Sequence, residues 1–345
     1  MKEFSINNRK IGPNHNPLVV AEIGINHGGS LKEAIKIADS AIDSGVEIIK
    51  HQTHIIEDEM SKEAMKVIPG NSTKSIYEIM QECALSKNDE IYLKNHIEDR
   101  GSIFISTPFS RAAADRLAEM DVPAYKIGSG ECNNLPLIDH IADFGKPIIV
   151  STGMNTLNSV RETVNLLKTK SVDFALLHTT NLYPTPNQLV RLGGMQALMS
   201  EFKETVIGLS DHTITNHACF AAVAMGACIL ERHFTDTMKR EGPDIVCSMD
   251  PKNTQQLIEG VNIIHQQLGG TKEPAKEEQV TIDFAFSTVV SIKKIFKGEK
   301  FSKENIWVKR PGTGEILAAS YNSILGKTSK RDIDSDTHIK FDDIE

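Results

Sequence analysis

The chain has little of what would place it in an oxidising compartment, in a membrane or on a nucleic acid. Its 345 residues hold only five cysteines, Cys83, Cys132, Cys219, Cys228 and Cys247. They are scattered, with no CxxC pair, which argues against a disulfide framework and suits reduced thiols of a cytoplasmic protein. No apolar run approaches the ~18 residues of a membrane span. The start, Met1-Lys2-Glu3-Phe4-Ser5, has no signal-peptide stretch. Basic charge is not in excess: 38 Lys and Arg face 46 Asp and Glu, a net charge of −8. That balance argues against a general nucleic-acid or membrane-surface binder, yet leaves room for a local basic pocket. Heptads are missing. So is a GxGxxG after the first strand-like run, which lowers a dinucleotide-binding reading.

What is present is alternation. Short apolar runs at Leu18–Ile25, Glu47–Lys50, Ser102–Thr107, Ala124–Ile127, Pro147–Ser151, Phe174–His178, Thr205–Ser210 and Cys228–His233 read as strands. Amphipathic stretches between them, such as Leu31–Asp43, Arg111–Met120, Leu157–Lys168 and Asn216–Met225, read as helices. Strict β-then-α order predicts a parallel sheet with helices outside. Eight repeats in roughly 250 residues fit an α/β (β/α)8 TIM barrel better than an open sheet. The barrel is expected over residues 1–268. Residues 269–282, which include the Gly-, Lys- and Glu-rich GGTKEPAKEEQ, read as a linker, and 283–345 as a small β-rich module. The polar segment from His54 to Ser75, with Pro69-Gly70-Asn71, reads as a long loop over the barrel mouth.

In such barrels, sites form at the carboxyl ends of the strands. Those ends present Glu22; Lys50 and Gln52; Ser106-Thr107; Lys126 followed by Gly128-Ser129-Gly130-Glu131; Ser151; Asn181 and Tyr183; Ser210 and His212; and Glu231 and His233, with Asp244 beyond. Strand residues alternate faces with period two, so Ser210 shares a face with His212, and Glu231 with His233. On neighbouring strands the two imidazoles meet and can hold a divalent metal with open positions. The same spacing also suits two core or capping histidines. Two lysines behind apolar residues, with small hydroxyls and glycine turns, suit a phosphate or phospho-carboxylate. Glu22 inside an apolar run needs a cation, a proton or a metal. A salt bridge to Lys50 or Lys126 and an acid–base role both satisfy it.

These strings, in this order, resemble the sialic acid synthase family: Glu22-Ile23-Gly24-Ile25-Asn26-His27, Lys50-His51-Gln52-Thr53, Ser106-Thr107-Pro108-Phe109, Lys126-Ile127-Gly128-Ser129-Gly130-Glu131, Ser151-Thr152-Gly153-Met154, Ser210-Asp211-His212-Thr213 and Glu231-Arg232-His233-Phe234-Thr235. Trp307-Val308-Lys309-Arg310-Pro311-Gly312 resembles the antifreeze-like (SAF) module that follows the barrel. Within the family the likeness is greatest to bacterial N-acetylneuraminate synthases. The resemblance implies a condensation of phosphoenolpyruvate with N-acetylmannosamine, giving N-acetylneuraminate and phosphate. Legionaminic or pseudaminic acid synthases, acting on a 2,4-diacetamido-trideoxyhexose, share most of these residues. A class I aldolase with a Schiff-base Lys50 or Lys126 is the mechanistic competitor.

The resemblance also implies a divalent metal, most often Mn2+ (Mg2+ or Co2+ as alternatives), on His212 and His233. It assigns Lys50, Thr107, Lys126, Ser129, Ser151, Asn181 and Ser210 to phosphoenolpyruvate. Gln52, Tyr183 and Asp244 fall on the sugar side, and Glu22 and Glu131 take catalytic roles. It implies a domain-swapped homodimer in which Arg310 reaches the partner's sugar.

Overall fold

The computed structural model describes residues 3–69 and 73–345. It divides into two compact units, Met1–Gly269 and Gly270–Glu345.

The first unit opens with an antiparallel hairpin, β1 (Phe4–Ile6) and β2 (Arg9–Ile11). Eight strands follow: β3 (Leu18–Gly24), β4 (Ile48–Thr53), β5 (Ile103–Pro108), β6 (Tyr125–Ile127), β7 (Ile148–Ser151), β8 (Phe174–Thr179), β9 (Val206–Asp211) and β10 (Ile229–His233). All pair in parallel in chain order, and β10 closes on β3. The (β/α)8 barrel that the alternation predicts is therefore formed, with strand ends shifted by a few residues at most. Helices form where the sequence supplies apolar spacing and a cap. In Leu31–Asp43, Ala34, Ile37, Ala38 and Ala41 are buried on one face, and Ser30 caps the first turn through Glu33 N. Burying a side chain the size of Ile37 contributes about 2 kcal/mol.

Two expectations change. The segment after β4 is not irregular: it carries a helix at Ile56–Glu59, a 3-10 stretch at Lys62–Lys66 and a helix at Ile76–Cys83. Gly70 and Asn71 of the expected loop lie outside the described residues. The expected linker 269–282 holds a turn of 3-10 helix at Lys276–Glu278 and the start of a helix, Gln279–Ala285. Its Glu, Lys and Gln residues, read as solvated coil, are also good helix formers.

In the second unit β11 (Thr288–Ser291) pairs antiparallel with β12 (Ile306–Lys309). Val289, Ile295, Phe301, Ile306, Ile316, Ile324, Ile333 and Ile339 form its own small core.

Candidate active site

Period-two alternation builds the barrel interior in layers. Leu18, Val20, Ile48, Ile105, Ala124, Ile149, Ala175, Leu177, Val206 and Ile229 pack with Phe4, Ile6 and Ile11 of the hairpin into one apolar cluster. Two residues further along the strands the interior turns polar. Glu22, Lys50, Thr107, Lys126, Ser151, Thr179, Ser210 and Glu231 all line one cavity of about 150 Å³ at the carboxyl end. Gln52, Phe109, Ser129, Asn181, Tyr183, His212 and His233 complete its wall.

The floor is an ionic ring. Lys50 Nζ pairs with Glu22 Oε2 and lies 3.8 Å from Glu231 Oε1. Lys126 Nζ lies 3.6 Å from the same Glu231 oxygen and donates to Ser151 Oγ at 2.7 Å. Lys50 also donates to Thr107 Oγ1 at 3.3 Å, and Gln52 Nε2 donates to Glu22 Oε1 at 2.7 Å. Burial pushes Glu22 up to about 7; Lys50 opposes the shift and Glu231 adds to it. Burial brings Lys126 down to about 8 against the pull of Glu231. Burial alone would raise Glu231, but Lys126 and Lys50 hold it below the usual carboxylate range. Glu22 Oε2 has no hydrogen-bond partner beyond its pairing with Lys50, and Glu231 Oε2 is buried with none. Two buried ammonium groups in such a ring can also pair with an incoming anion in place of a carboxylate.

At the rim the rings of His212 and His233 stand 5.4 Å apart, and Tyr183 packs on His212 at 4.2 Å. His212 Nδ1 meets the Thr180 carbonyl at 2.9 Å, which makes it the N–H donor and leaves the Nε2 lone pair free. Burial lowers His212 to about 4 and His233 to about 3. Both rings are therefore neutral near pH 7, the form that ligates metal. His233 Nδ1 is buried without a hydrogen-bond partner, and Asp244 Oδ2 is 3.7 Å from it. Two neutral imidazoles and a nearby carboxylate fit a divalent ion with open positions. Among the described residues no group of three or more His, Cys, Asp or Glu is already arranged around a metal position.

Of the residues singled out from sequence, Glu22, Lys50, Gln52, Thr107, Lys126, Ser129, Ser151, Asn181, Tyr183, Ser210, His212 and His233 meet here. Asp244 flanks the wall behind His233. Glu131 is not brought in: its Oε2 accepts from Asn134 Nδ2 at 2.5 Å, toward the helix Leu135–Ala142. Arg310 is exposed at the end of β12 in the second unit. His27 lies outside the cavity wall: it accepts from Gly29 N just before the helix Leu31–Asp43 and stacks on His51 at 5.3 Å. Sequence reasoning gave Glu231 no role, although its spacing from His233 put it on the inner face. His54 was set aside as loop, yet it touches Gln52. Gly153 is needed for close approach: a Cβ there would lie 1.8 Å from Asn181 Oδ1.

A (β/α)8 barrel with a lysine-based anion floor under two histidines defines an enzyme that acts on a small anionic substrate. The NeuB family pattern matches residues 37–273 and the SAF domain pattern residues 287–345. The chain belongs to the NeuB family, the sialic acid synthases, which join phosphoenolpyruvate to an amino sugar by a new C–C bond. It is 37% identical to the N,N'-diacetyllegionaminic acid synthase of Campylobacter jejuni, across 94% of this chain and 98% of that one. Identity to the Legionella pneumophila protein of the same name is 33%, across 98% and 99%. The crystal structure of N-acetylneuraminic acid (sialic acid) synthetase from Leptospira borgpetersenii, in complex with citrate, aligns with a TM-score of 0.75 at 30% identity. It covers 81% of this chain and 95% of that one. Among the described residues no helix is long and apolar enough to cross a membrane.

Proposed function

We propose that this synthase condenses phosphoenolpyruvate with a 2,4-diacetamido-trideoxyhexose to give a legionaminic-type acid and phosphate. The observation that carries the condensation is the ring of Lys50 and Lys126 with Glu22 and Glu231 on the cavity floor. A three-carbon phospho-carboxylate suits that floor, and the sugar then meets it from the rim. The two full-length relatives at 37% and 33% identity support the diacetamido sugar. N-acetylmannosamine, the sugar expected from sequence, is the second reading, supported by the sialic acid synthetase likeness.

In this reading Lys50, Lys126, Thr107, Ser129, Ser151, Asn181 and Ser210 seat phosphate and carboxylate. Gln52, Tyr183 and Asp244 hold the sugar. His212 and His233 would hold a divalent ion, manganese first among candidates. When bound there, the ion supplies Lewis-acid polarisation of the aldehyde oxygen. Close positioning does the rest, because the phosphoenolpyruvate C3 is a weak nucleophile. Glu22 steers the water that captures the cationic C2 and takes up its proton. Glu131, turned toward Asn134, has no part in these steps. Phosphate then leaves the tetrahedral centre.

The test is phosphate release from phosphoenolpyruvate with a panel of 2-acetamido and 2,4-diacetamido sugars, with manganese or with chelator. Release confined to the diacetamido sugar supports the reading. Release with N-acetylmannosamine alone moves the protein to the second. Borohydride trapping of a keto acid on a lysine would instead revive the aldolase. The proposal extends to a dimer in which Arg310 serves the other copy's site. Mixing an Arg310→Ala chain with a Lys126→Ala chain then restores activity that neither has alone.

A further inference from the structure

A buried group that this reaction leaves unused, yet that is linked to the ionic floor, is His54, directly after β4. It is only 3% exposed, and its ring lies flat on Phe109 at 4.6 Å. Nδ1 is 2.8 Å from Glu59 Oε2, and Nε2 is 3.2 Å from Gln52 Oε1. Gln52 Nε2 in turn donates to Glu22 Oε1 at 2.7 Å. Four side chains thus form a line from the helix Ile56–Glu59 to the ionic floor.

Each link has a polarity. An ionised carboxylate only accepts, and a primary amide accepts at oxygen and donates at nitrogen. With the Gln52 N–H on Glu22, the amide oxygen faces His54 and requires an N–H from Nε2. Turned over, the amide would set its oxygen against a Glu22 oxygen at 2.7 Å, two acceptors face to face. Glu59 accepts from Nδ1, so both ring nitrogens donate and the ring carries both protons as an imidazolium paired with the Glu59 carboxylate, while Phe109 fixes its plane. We propose that His54 is a positioning residue: by donating to Gln52 Oε1 it dictates which end of the Gln52 amide faces Glu22 and the sugar. The inference rests on the proposed function only in its kinetic consequences.

The experiment compares His54→Phe, His54→Gln and the parent. Phe keeps the flat packing on Phe109 and loses the donor. Gln restores an N–H where Nε2 stands. Losing one such hydrogen bond is worth roughly tenfold. His54→Phe should lower kcat/KM for the sugar about tenfold, shared between a higher sugar KM and a lower kcat, with the phosphoenolpyruvate KM within about twofold. His54→Gln should recover most of both. A purely structural role would lower Tm and worsen both KM values alike in the two variants, which would overturn the proposal. Kinetics in His54→Phe equal to the parent's would overturn it too.

A second measurement needs no turnover. In glutamine-labelled protein, with Gln52→Glu for assignment, the Gln52 side-chain amide protons should be held and slow to exchange in the parent. They should be released in His54→Phe and held again in His54→Gln. An amide that is unchanged in His54→Phe sinks the proposal whatever the enzyme's substrate. A parent that releases no phosphate with any sugar sinks the functional reading alone.

Discussion

Glu231 stands between two ammonium groups, 3.6 Å from Lys126 Nζ, with its own side chain 7% exposed and that of Lys126 2% exposed. With Glu22 it is a counter-ion of the floor, and in the proposed reaction a phospho-carboxylate would compete with it. Removing one partner of a buried ion pair costs about 3–5 kcal/mol, because the other charge is left uncompensated. Glu231→Gln should therefore lower the Tm of the free protein and enlarge the Tm rise on adding phosphoenolpyruvate. Thermal scans with and without the ligand decide it; an unchanged ligand-induced shift would refute the competition.

Metal binding should depend on the rim. In His212→Ala, calorimetric affinity for Mn2+ should fall at least about tenfold, the scale set even by outer-shell changes. Phosphate release should fall with it. Full activity of the parent in chelator would remove the metal role.

For Glu22→Gln the expected pattern is split. The lysine charges persist while Lys50 loses its Glu22 counter-ion, so phosphoenolpyruvate affinity should not fall, while kcat drops about 10²–10⁴-fold, the range of acid–base assistance. Single-turnover phosphate release separates the two. Normal turnover would free Glu22 of its role.

Outside the site, Glu90 is fully buried on the helix Lys87–Asp99, 3.4 Å from Arg116, and burial pushes it up to about 7. Its folded value lies above the unfolded one near 4.5. The stability it contributes is full below that unfolded value and is lost as pH rises through 7. The span corresponds to about 3 kcal/mol. Relative to the parent, Glu90→Gln should therefore gain stability between pH 5 and pH 8. Urea unfolding at both pH values checks the sign; a constant difference would show that Glu90 does not titrate there.

The strands and the inner ring were legible because period two is strict in a barrel: once Val20 or Ile229 is buried, Glu22 and Glu231 must follow on the same face. The directions of Glu131 and His54 are not legible in the sequence, for one shared reason. Both lie just past strand ends, where alternation stops and turn geometry decides direction. A 3-10 turn carries Glu131 toward Asn134, and the chain after Thr53 folds His54 back onto Phe109. The helix in the expected linker escaped notice because its exposed Val280 and Phe284 are not matched by any buried face.

The apolar layer of the barrel, with the hairpin Phe4–Ile11 packed against it, is a solid floor beneath the cavity. A ligand on that floor is reached from the carboxyl-end mouth, and depth becomes sequence in time. Whatever rests on Lys50 and Lys126 has to arrive before whatever rests against His212 and Tyr183, and the upper occupant has to depart first. A sugar that enters early corks the vessel. If phosphoenolpyruvate takes that floor as proposed, it should bind before the sugar, and excess sugar should inhibit competitively against it.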